Sequence, residues 1–477
     1  MGSKFDLKMV KSDAFKRYWV SDLHDFVTLG LSSSMLENLT ALGYSQMTPV
    51  QALSLPHILA DKDVIAEAKT GSGKTAAFGI GLLSKLDVKN FKIQSIILCP
   101  TRELAEQVAH ELRNIAKFKH NIKILTLCGG VAFGPQLGSL RHGAHIAVGT
   151  PGRVLQHLKK ESLNLYHVKT LVLDEADRML DMGFIEEIEK IISHVPKQRQ
   201  TLLFSATFPD EIAGFARTIQ NNPEVIKASS EEAANKVEQY FYHMPSRSKL
   251  ANLIKILYLH QPENVIIFCN TKIETDEIAK VLRSNHIDAL ALHGDLEQYE
   301  RVDVLVQFTN KSCPILVATD VAARGLDIKA LSMVINYDVP HSLETYTHRI
   351  GRTARAGKEG IAVTLFDESD REKVEPYRDE TRIFLDPDDL KIDKNFTMQP
   401  DYVTLVIEGG KKSKIRAGDI LGALTKDARL PGGSVGKIDI FEKQSYVAIE
   451  KQQIKNAFTK LKEGKIKGKN FSVWILE

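Results

Sequence analysis

The stretch from Asp63 to Leu86 constrains this chain more than any other. The β-favouring run DVIAEA leads into Lys69-Thr70-Gly71-Ser72-Gly73-Lys74-Thr75, and the helical pattern TAAFGIGLLSKL follows. A strand that ends in a glycine turn and enters a helix through Lys-Thr is the P-loop pattern, intact except that Ala68 stands at the first glycine position. Gly71, Ser72 and Gly73 let the backbone curl so that amides face phosphate oxygens. Lys74 reaches the outer phosphates, and Thr75 ligates Mg²⁺ at a helix start whose dipole favours an anion.

A strand–loop–helix unit of this kind requires further strands beside it. The runs SIILCP, KILTLCG, HIAVGT, TLVLDEA and QTLLFSAT alternate with longer amphipathic stretches. A second series, EQYFYHM, NVIIFCN, ILVATDV, MVINYDV and GIAVTLF, begins after a polar stretch around Ser229 to Lys236. The expectation is two consecutive α/β domains with mostly parallel sheets. Their similar rhythm suggests related modules, although the sequence likeness is too weak for a repeat. A third unit from Pro400 carries YVTLVIEG, AGDILGALT, VGKIDIF, SYVAIE, QQIKNAFTKLKEG and NFSVWI, a β-α-β-β-α-β order that reads as a split-βαβ α+β domain.

Composition excludes other classes. At 477 residues, 43% hydrophobic and 26% charged, the chain is globular and of multidomain length. It has no apolar run of membrane-spanning length, and MGSKFDLKMVK lacks the apolar core of a signal peptide. A cytoplasmic protein without membrane association is expected. Cys99, Cys128, Cys269 and Cys313 are far apart and read as buried free thiols. From Pro400 to Glu477 there are 15 Lys and Arg against 9 Asp and Glu, a net of +6, whereas the whole chain carries +3. The basic surplus lies in the last 78 residues, where a polyanion is the natural partner.

A P-loop needs an acidic partner at the end of another strand. Thr170 to Leu173 deliver Asp174 and Glu175 there, so that Asp174 can hold Mg²⁺ through its water while Glu175 polarises the attacking water.

With Asp174-Glu175-Ala176-Asp177 in place the chain resembles the DEAD-box RNA helicase family, and other motifs occur in family order. Phe26 lies twenty-five residues before Gln51, and GYSQMTPVQ (43–51) resembles the adenine-reading Q motif, with Gln51 on the adenine edge and Phe26 supporting the base. PTRELAEQ (100–107), Gly129-Gly130 and TPGR (150–153) are similar to the RNA-backbone motifs. The resemblance thus implies RNA contacts by Thr101, Arg102, Gly130, Thr150 and Arg153. Ser205-Ala206-Thr207 resembles the motif that couples nucleotide to RNA, together with Asp177 and His348. IIFCNT (266–271), Gln298 with Arg301, VATDVAARGLD (317–327) and HRIGRTARAG (348–357) match the second domain. By the same resemblance Thr319 and Arg324 touch RNA, Asp320 links RNA with nucleotide and Asp327 lies by the ribose. Arg352 and Arg355 face the γ-phosphate across a cleft that closes on ATP and RNA. Ala354 replaces a frequent glycine.

The family fold is two tandem RecA-like parallel-sheet domains, here followed by a small RRM-like domain. The expected boundaries are 1–22 unassigned, 23–228 and 241–366 for the RecA-like domains, 229–240 a linker, 367–399 a helical or irregular connector, and 400–477 the RRM-like domain. ATP and Mg²⁺ are the implied cofactors. The implied activity is RNA-stimulated ATP hydrolysis with local unwinding of short helices, by a monomer.

The tail resembles the RNA-binding domain of a bacterial DEAD-box subfamily directed to 23S ribosomal RNA, through GGKKSKIRAGDILGALT (409–425), VGKIDIF, SYVAIE and GKIKGK (464–469). That implies structured RNA, hairpin 92 of 23S rRNA and the large-subunit precursor as partners, and a role in ribosome biogenesis. The residues support RNA without the address. SYVAIE offers only Tyr446 near the position where an RRM stacks bases, so stacking should be weak. Lys411, Lys412, Lys414 and Arg416 form one basic turn, and Lys465, Lys467 and Lys469 a second cluster; these loops are the better RNA candidates.

Three rivals are weighed against the helicase. A DEAD-box clamp or ribonucleoprotein remodeller keeps every motif. A non-catalytic scaffold predicts erosion of Lys74, Glu175 or Arg352, all of which are intact. A DNA helicase is disfavoured by the RRM-like tail.

Overall fold

The computed structural model describes residues 25–68, 71–228, 237–323, 331–354, 359–379, 381–386, 398–427 and 430–476. The chain divides into two compact units, Met1–Glu231 and Glu232–Glu477. No helix among the described residues is long and apolar enough to cross a membrane.

The first unit is built on seven strands: β1 (Val64–Glu67), β2 (Ser95–Leu98), β3 (Ile124–Leu127), β4 (Ile146–Gly149), β5 (Thr170–Asp174), β6 (Gln200–Ser205) and β7 (Glu224–Lys227). They lie in the order β3-β4-β2-β5-β6-β1-β7, and every pair is parallel. The central strands β2, β4, β5 and β6 are buried along their whole length because helices cover both faces. Alternate residues feed opposite layers. Ile97, Val172, Leu202 and Phe204 enter one core, while Ile96, Leu98, Leu171, Leu173 and Leu203 enter the other. Each such side chain stabilises the unit by roughly 1.5–3 kcal/mol on burial, which makes the central strands rigid supports for the loops at their ends.

The second unit repeats the plan. Strands β8 (Val237–His243), β9 (Val265–Cys269), β10 (Ala289–Leu292), β11 (Ile315–Thr319), β12 (Met333–Asn336), β13 (Gly360–Phe366) and β14 (Arg382–Leu385) lie in the order β10-β11-β9-β12-β13-β8-β14. Counted from its own first strand, this is the order of the first sheet. Local devices repeat too. After β2, Thr101 accepts from Leu104 N (3.3 Å) to cap the helix Arg102–Ile115; after β9, Thr271 accepts from Glu274 N (3.2 Å) to cap Lys272–Ser284.

The stretch 367–399, read from sequence as a connector, contributes a strand to this sheet. Strand β14 pairs in parallel with β8 through Arg382↔Gln239 to Leu385↔Tyr242. A cluster of Phe241, Tyr346, Phe366 and Tyr377 anchors the segment that leads to it. The charge-rich composition of this stretch hid a four-residue edge strand.

A third sheet, also in the second unit, has strands β15 (Tyr402–Ile407), β16 (Val435–Ile440), β17 (Ser445–Glu450) and β18 (Val473–Ile475) in the antiparallel order β16-β17-β15-β18. Leu405, Ile407, Val447 and Ile449 point to the face covered by the helices Ala417–Gly422 and Ile454–Glu463. This is the split-βαβ arrangement expected. All four cysteines are buried and free.

Candidate functional site

Three loops meet at the carboxyl ends of β1, β6 and β5, which are adjacent in that order. After β1, Gly73 takes φ +93°, and a Cβ there would lie 2.5 Å from the Gln51 amide nitrogen. The glycine is therefore required both by backbone and by Gln51, whose Nε2 donates to Gly73 O (3.1 Å) while its Oε1 accepts from Thr48 N (2.9 Å). Gln51 is buried and braces the loop. Lys74 opens the helix Lys74–Ser84, is buried, and donates from Nζ to Ala68 O (2.9 Å). Thr75 is half-buried beside it, and the Ser72 hydroxyl is buried without a partner. Phe26 is placed in the core, edge-on to Tyr44 at 6.4 Å between centroids.

At the end of β5, Asp174 is buried and its Oδ1 has no hydrogen-bond partner. Burial, partly offset by Lys74, pushes its carboxyl up to about 7. A buried, unpaired carboxylate oxygen near a lysine and a glycine cradle fits a divalent cation carried by a nucleotide. Glu175 adopts φ +55° and is held by Arg178, whose Nη1 donates to Glu175 Oε2 (2.9 Å). Asp177 reaches the end of β6, where its Oδ2 accepts from Ala206 N (3.0 Å), Thr207 N (3.0 Å) and Thr207 Oγ1 (3.2 Å). Ser205 Oγ accepts in turn from Asp177 N (3.2 Å). The Asp177 carboxylate thus ties the acidic loop to the Ser-Ala-Thr segment.

The other half of the first sheet, β3-β4-β2, carries the residues read as RNA contacts. The Thr101 hydroxyl oxygen accepts at its helix cap, and its O–H remains a donor. Arg102 Nε donates to Glu106 Oε1 (2.8 Å), and its Nη1 is buried without a partner. Gly130 follows β3 with φ +72°. Thr150 is the N-cap residue of the helix Pro151–Lys159, on which Arg153 is half-buried.

In the second unit Thr319 ends β11, and Arg352 is buried in the turn after the helix Leu343–Ile350, which also carries the half-buried His348. Arg324, Asp327 and Arg355 lie outside the described residues. Arg349 dominates here. Its Nε and Nη2 donate to the two oxygens of Asp320 (2.8 and 2.7 Å), and its Nη1 donates to Asn336 Oδ1 (3.1 Å) and Asp338 O (3.0 Å). It joins the end of β11 to the helix that carries His348. The sequence reading passed over Arg349; its signal was a spacing of three from the buried Tyr346. The loop after β8 meanwhile starts its helix with a lysine, as the loop after β1 does. This Lys249 is buried and pairs with Asp338 (3.2 Å), just beyond β12, the counterpart of β5.

In the tail, Lys411, Lys412, Lys414, Arg416, Lys465, Lys467 and Lys469 are all exposed. The two basic clusters form one surface, because Lys467 Nζ donates to Lys414 O (3.0 Å) and lies 3.4 Å from Asp419. Tyr446 is buried. The sheet face that it shares with Val406 packs on Val306 and Val302 of the helix Gln298–Thr309, and its hydroxyl donates to Asp303 Oδ1 (2.7 Å). Asn310 Nδ2 donates to Thr404 Oγ1 (2.8 Å) across the same joint. The Tyr446 ring is therefore covered and presents no open face to a base.

The chain matches the DEAD/DEAH box helicase family over residues 48–215, the helicase conserved C-terminal domain over 248–357 and the DbpA RNA binding domain over 404–475. It is 49% identical over 454 residues to the ATP-dependent RNA helicase DbpA of Escherichia coli, covering 95% of this chain and 99% of that one. This chain is a DEAD-box RNA helicase. The helicase is also 46% identical over 341 residues to the DEAD-box ATP-dependent RNA helicase CshA of Geobacillus kaustophilus, covering 71% of this chain and 73% of CshA. Its fold is similar to that of S. cerevisiae Dbp5 bound to RNA and ADP BeF3, with a TM-score of 0.69 and 30% identity over 77% of this chain and 96% of that one. The helicase core comprises two RecA-like domains, the third sheet is a DbpA-type RNA-binding domain, and the activity is that of an ATP-dependent RNA helicase.

Proposed function

We propose that this helicase uses Mg²⁺ and ATP to separate short RNA helices in the large ribosomal subunit precursor, directed there by its tail to hairpin 92 of 23S rRNA. The observation that carries the ATPase chemistry is the convergence of Lys74, Asp174 and Glu175 at the ends of β1 and β5, the two strands that flank β6, with Asp174 Oδ1 left without a partner among the described residues. Thr75 and Asp174 would hold the magnesium, which supplies positive charge to the phosphate oxygens. Glu175, held by Arg178, orients and polarises the attacking water, and Lys74 neutralises the outer phosphates. Arg352 and Arg355 are assigned to the charge that develops on the γ-phosphate. Gln51 and Asp327 are assigned to the adenosine.

Asp177 conveys the state of the acidic loop to Ala206 and Thr207. Thr101, Arg102, Gly130, Thr150, Arg153, Thr319 and Arg324 are assigned to the RNA backbone, which leaves sequence choice to the tail. The 49% identity to DbpA over nearly the whole chain and the match of the tail to the DbpA RNA binding domain support the ribosomal address and action in the bacterial cytoplasm.

The test is the ATPase rate with no RNA, with generic structured RNA, with a 23S fragment containing hairpin 92, and with that fragment altered in its loop. Strong stimulation by the intact hairpin alone supports the address. Equal stimulation by every RNA removes it and retains the helicase.

A further inference from the structure

Arg153 does not stand alone on its helix. Its Nη1 and Nη2 donate to Val131 O (both 3.1 Å), and Nη1 also donates to Gln136 Oε1 (2.9 Å). Gln136 is buried on the preceding helix Phe133–Arg141, and its Nε2 donates to Cys128 O (3.0 Å) at the end of β3. That bond fixes which end of the amide faces Arg153. The same Oε1 lies 3.0 Å from His157 Nε2, so this ring nitrogen must carry the proton. His157 is buried, one helical turn beyond Arg153. Its ring stacks on Phe133 at 4.1 Å between centroids, and its Nδ1 lies 2.9 Å from Ser162 Oγ. Burial, reinforced by Arg153 and Lys160, holds the imidazole down to about 4, so the ring is neutral and adds no charge beside the arginine.

We propose that Gln136 and His157 are positioning residues for RNA binding: the Gln136 oxygen, aimed by Cys128 O and loaded by His157, fixes the Arg153 guanidinium so that its fork meets an RNA phosphate without first being ordered. A guanidinium already tied along one edge loses less freedom when a phosphate arrives. The inference rests on the assignment of Arg153 to RNA.

The experiment measures RNA-stimulated ATPase of the full chain against the concentration of the hairpin 92 fragment. Gln136→Met should raise the half-saturating RNA concentration about five- to tenfold, with kcat at saturating RNA and KM for ATP unchanged. His157→Leu should act likewise, whereas His157→Gln, which keeps an N–H toward Gln136, should stay within about twofold of the parent. In the Arg153→Ala background Gln136→Met should add nothing further.

An equal effect of Gln136→Met in both backgrounds, or a lowered Tm with no change in RNA half-saturation, overturns the inference. If Arg153→Ala weakens RNA binding and Gln136→Met does not, the inference alone falls. If Arg153→Ala leaves RNA binding intact, the assignment of Arg153 falls and the inference with it.

Discussion

The two α/β sheets place a lysine and an acid at equivalent strand ends and use them in opposite ways. Among the described residues after β1 and β5, Lys74 donates to a main-chain carbonyl alone and Asp174 keeps an oxygen without a partner. After β8 and β12, Lys249 and Asp338 neutralise each other, and Asp338 Oδ2 also accepts from Asn270 N (2.7 Å). One strand order therefore supports either a site or a strut. The choice is made by whether the charges find each other.

The sharpest way to break this comparison is to remove each lysine. Lys74→Ala should lower RNA-stimulated kcat by about 10²–10³-fold with little change in Tm, since it deletes stabilisation of transferring charge. Lys249→Ala should leave a nearly buried Asp338 unpaired and cost about 3 kcal/mol in denaturant unfolding, while the folded fraction hydrolyses ATP normally. Loss of ATPase by folded Lys249→Ala would end the distinction. Next in size, Asp177→Ala strands the N–H groups of Ala206 and Thr207. A loss of about 2–3 kcal/mol is expected, and unwinding should fall further than ATP hydrolysis, measured side by side.

The uncompensated state of Asp174 has a pH signature. Its carboxyl is raised to about 7 by burial, so below that pH a proton occupies the place of the metal. Half-saturating magnesium should rise about tenfold per pH unit below 7, in titrations at pH 6 and pH 8. Because the folded chain binds this proton more tightly than the unfolded one, the same shift removes stability from the ligand-free fold as pH rises from about 4 to about 7. The smallest effect is expected in the tail. Tyr446→Phe removes one hydrogen bond to a carboxylate, for about 1.5 kcal/mol, and should leave RNA affinity unchanged. Lys412→Glu or Lys414→Glu should weaken RNA binding and flatten its salt dependence.

Much of this was legible in the sequence because the chemistry sits in short windows. The P-loop, Asp174 to Asp177 and Ser205 to Thr207 each announce themselves within eight residues, and parallel strands of unbroken Ile, Val and Leu give away the sheets. What escaped the reading depends on distance along the chain. Arg349 meets Asp320 across 29 positions, Lys249 meets Asp338 across 89, and Tyr446 meets Asp303 across 143. Such pairings leave no periodicity. Gln136 looked like any polar helix residue until Cys128 O, Arg153 and His157 surrounded it.

The joint at Tyr446 changes what the connector before the tail can do. A domain that hangs on a chain explores a volume set by the length and stiffness of that chain, and its local concentration falls as the chain grows. A domain seated by a face, through Tyr446, Val406 and Thr404, explores no such volume. Inserting glycine and serine into 387–397 should therefore leave RNA stimulation of the ATPase unaltered, whereas the same insertion after the joint is loosened by Asp303→Ala should dilute the tail and weaken it.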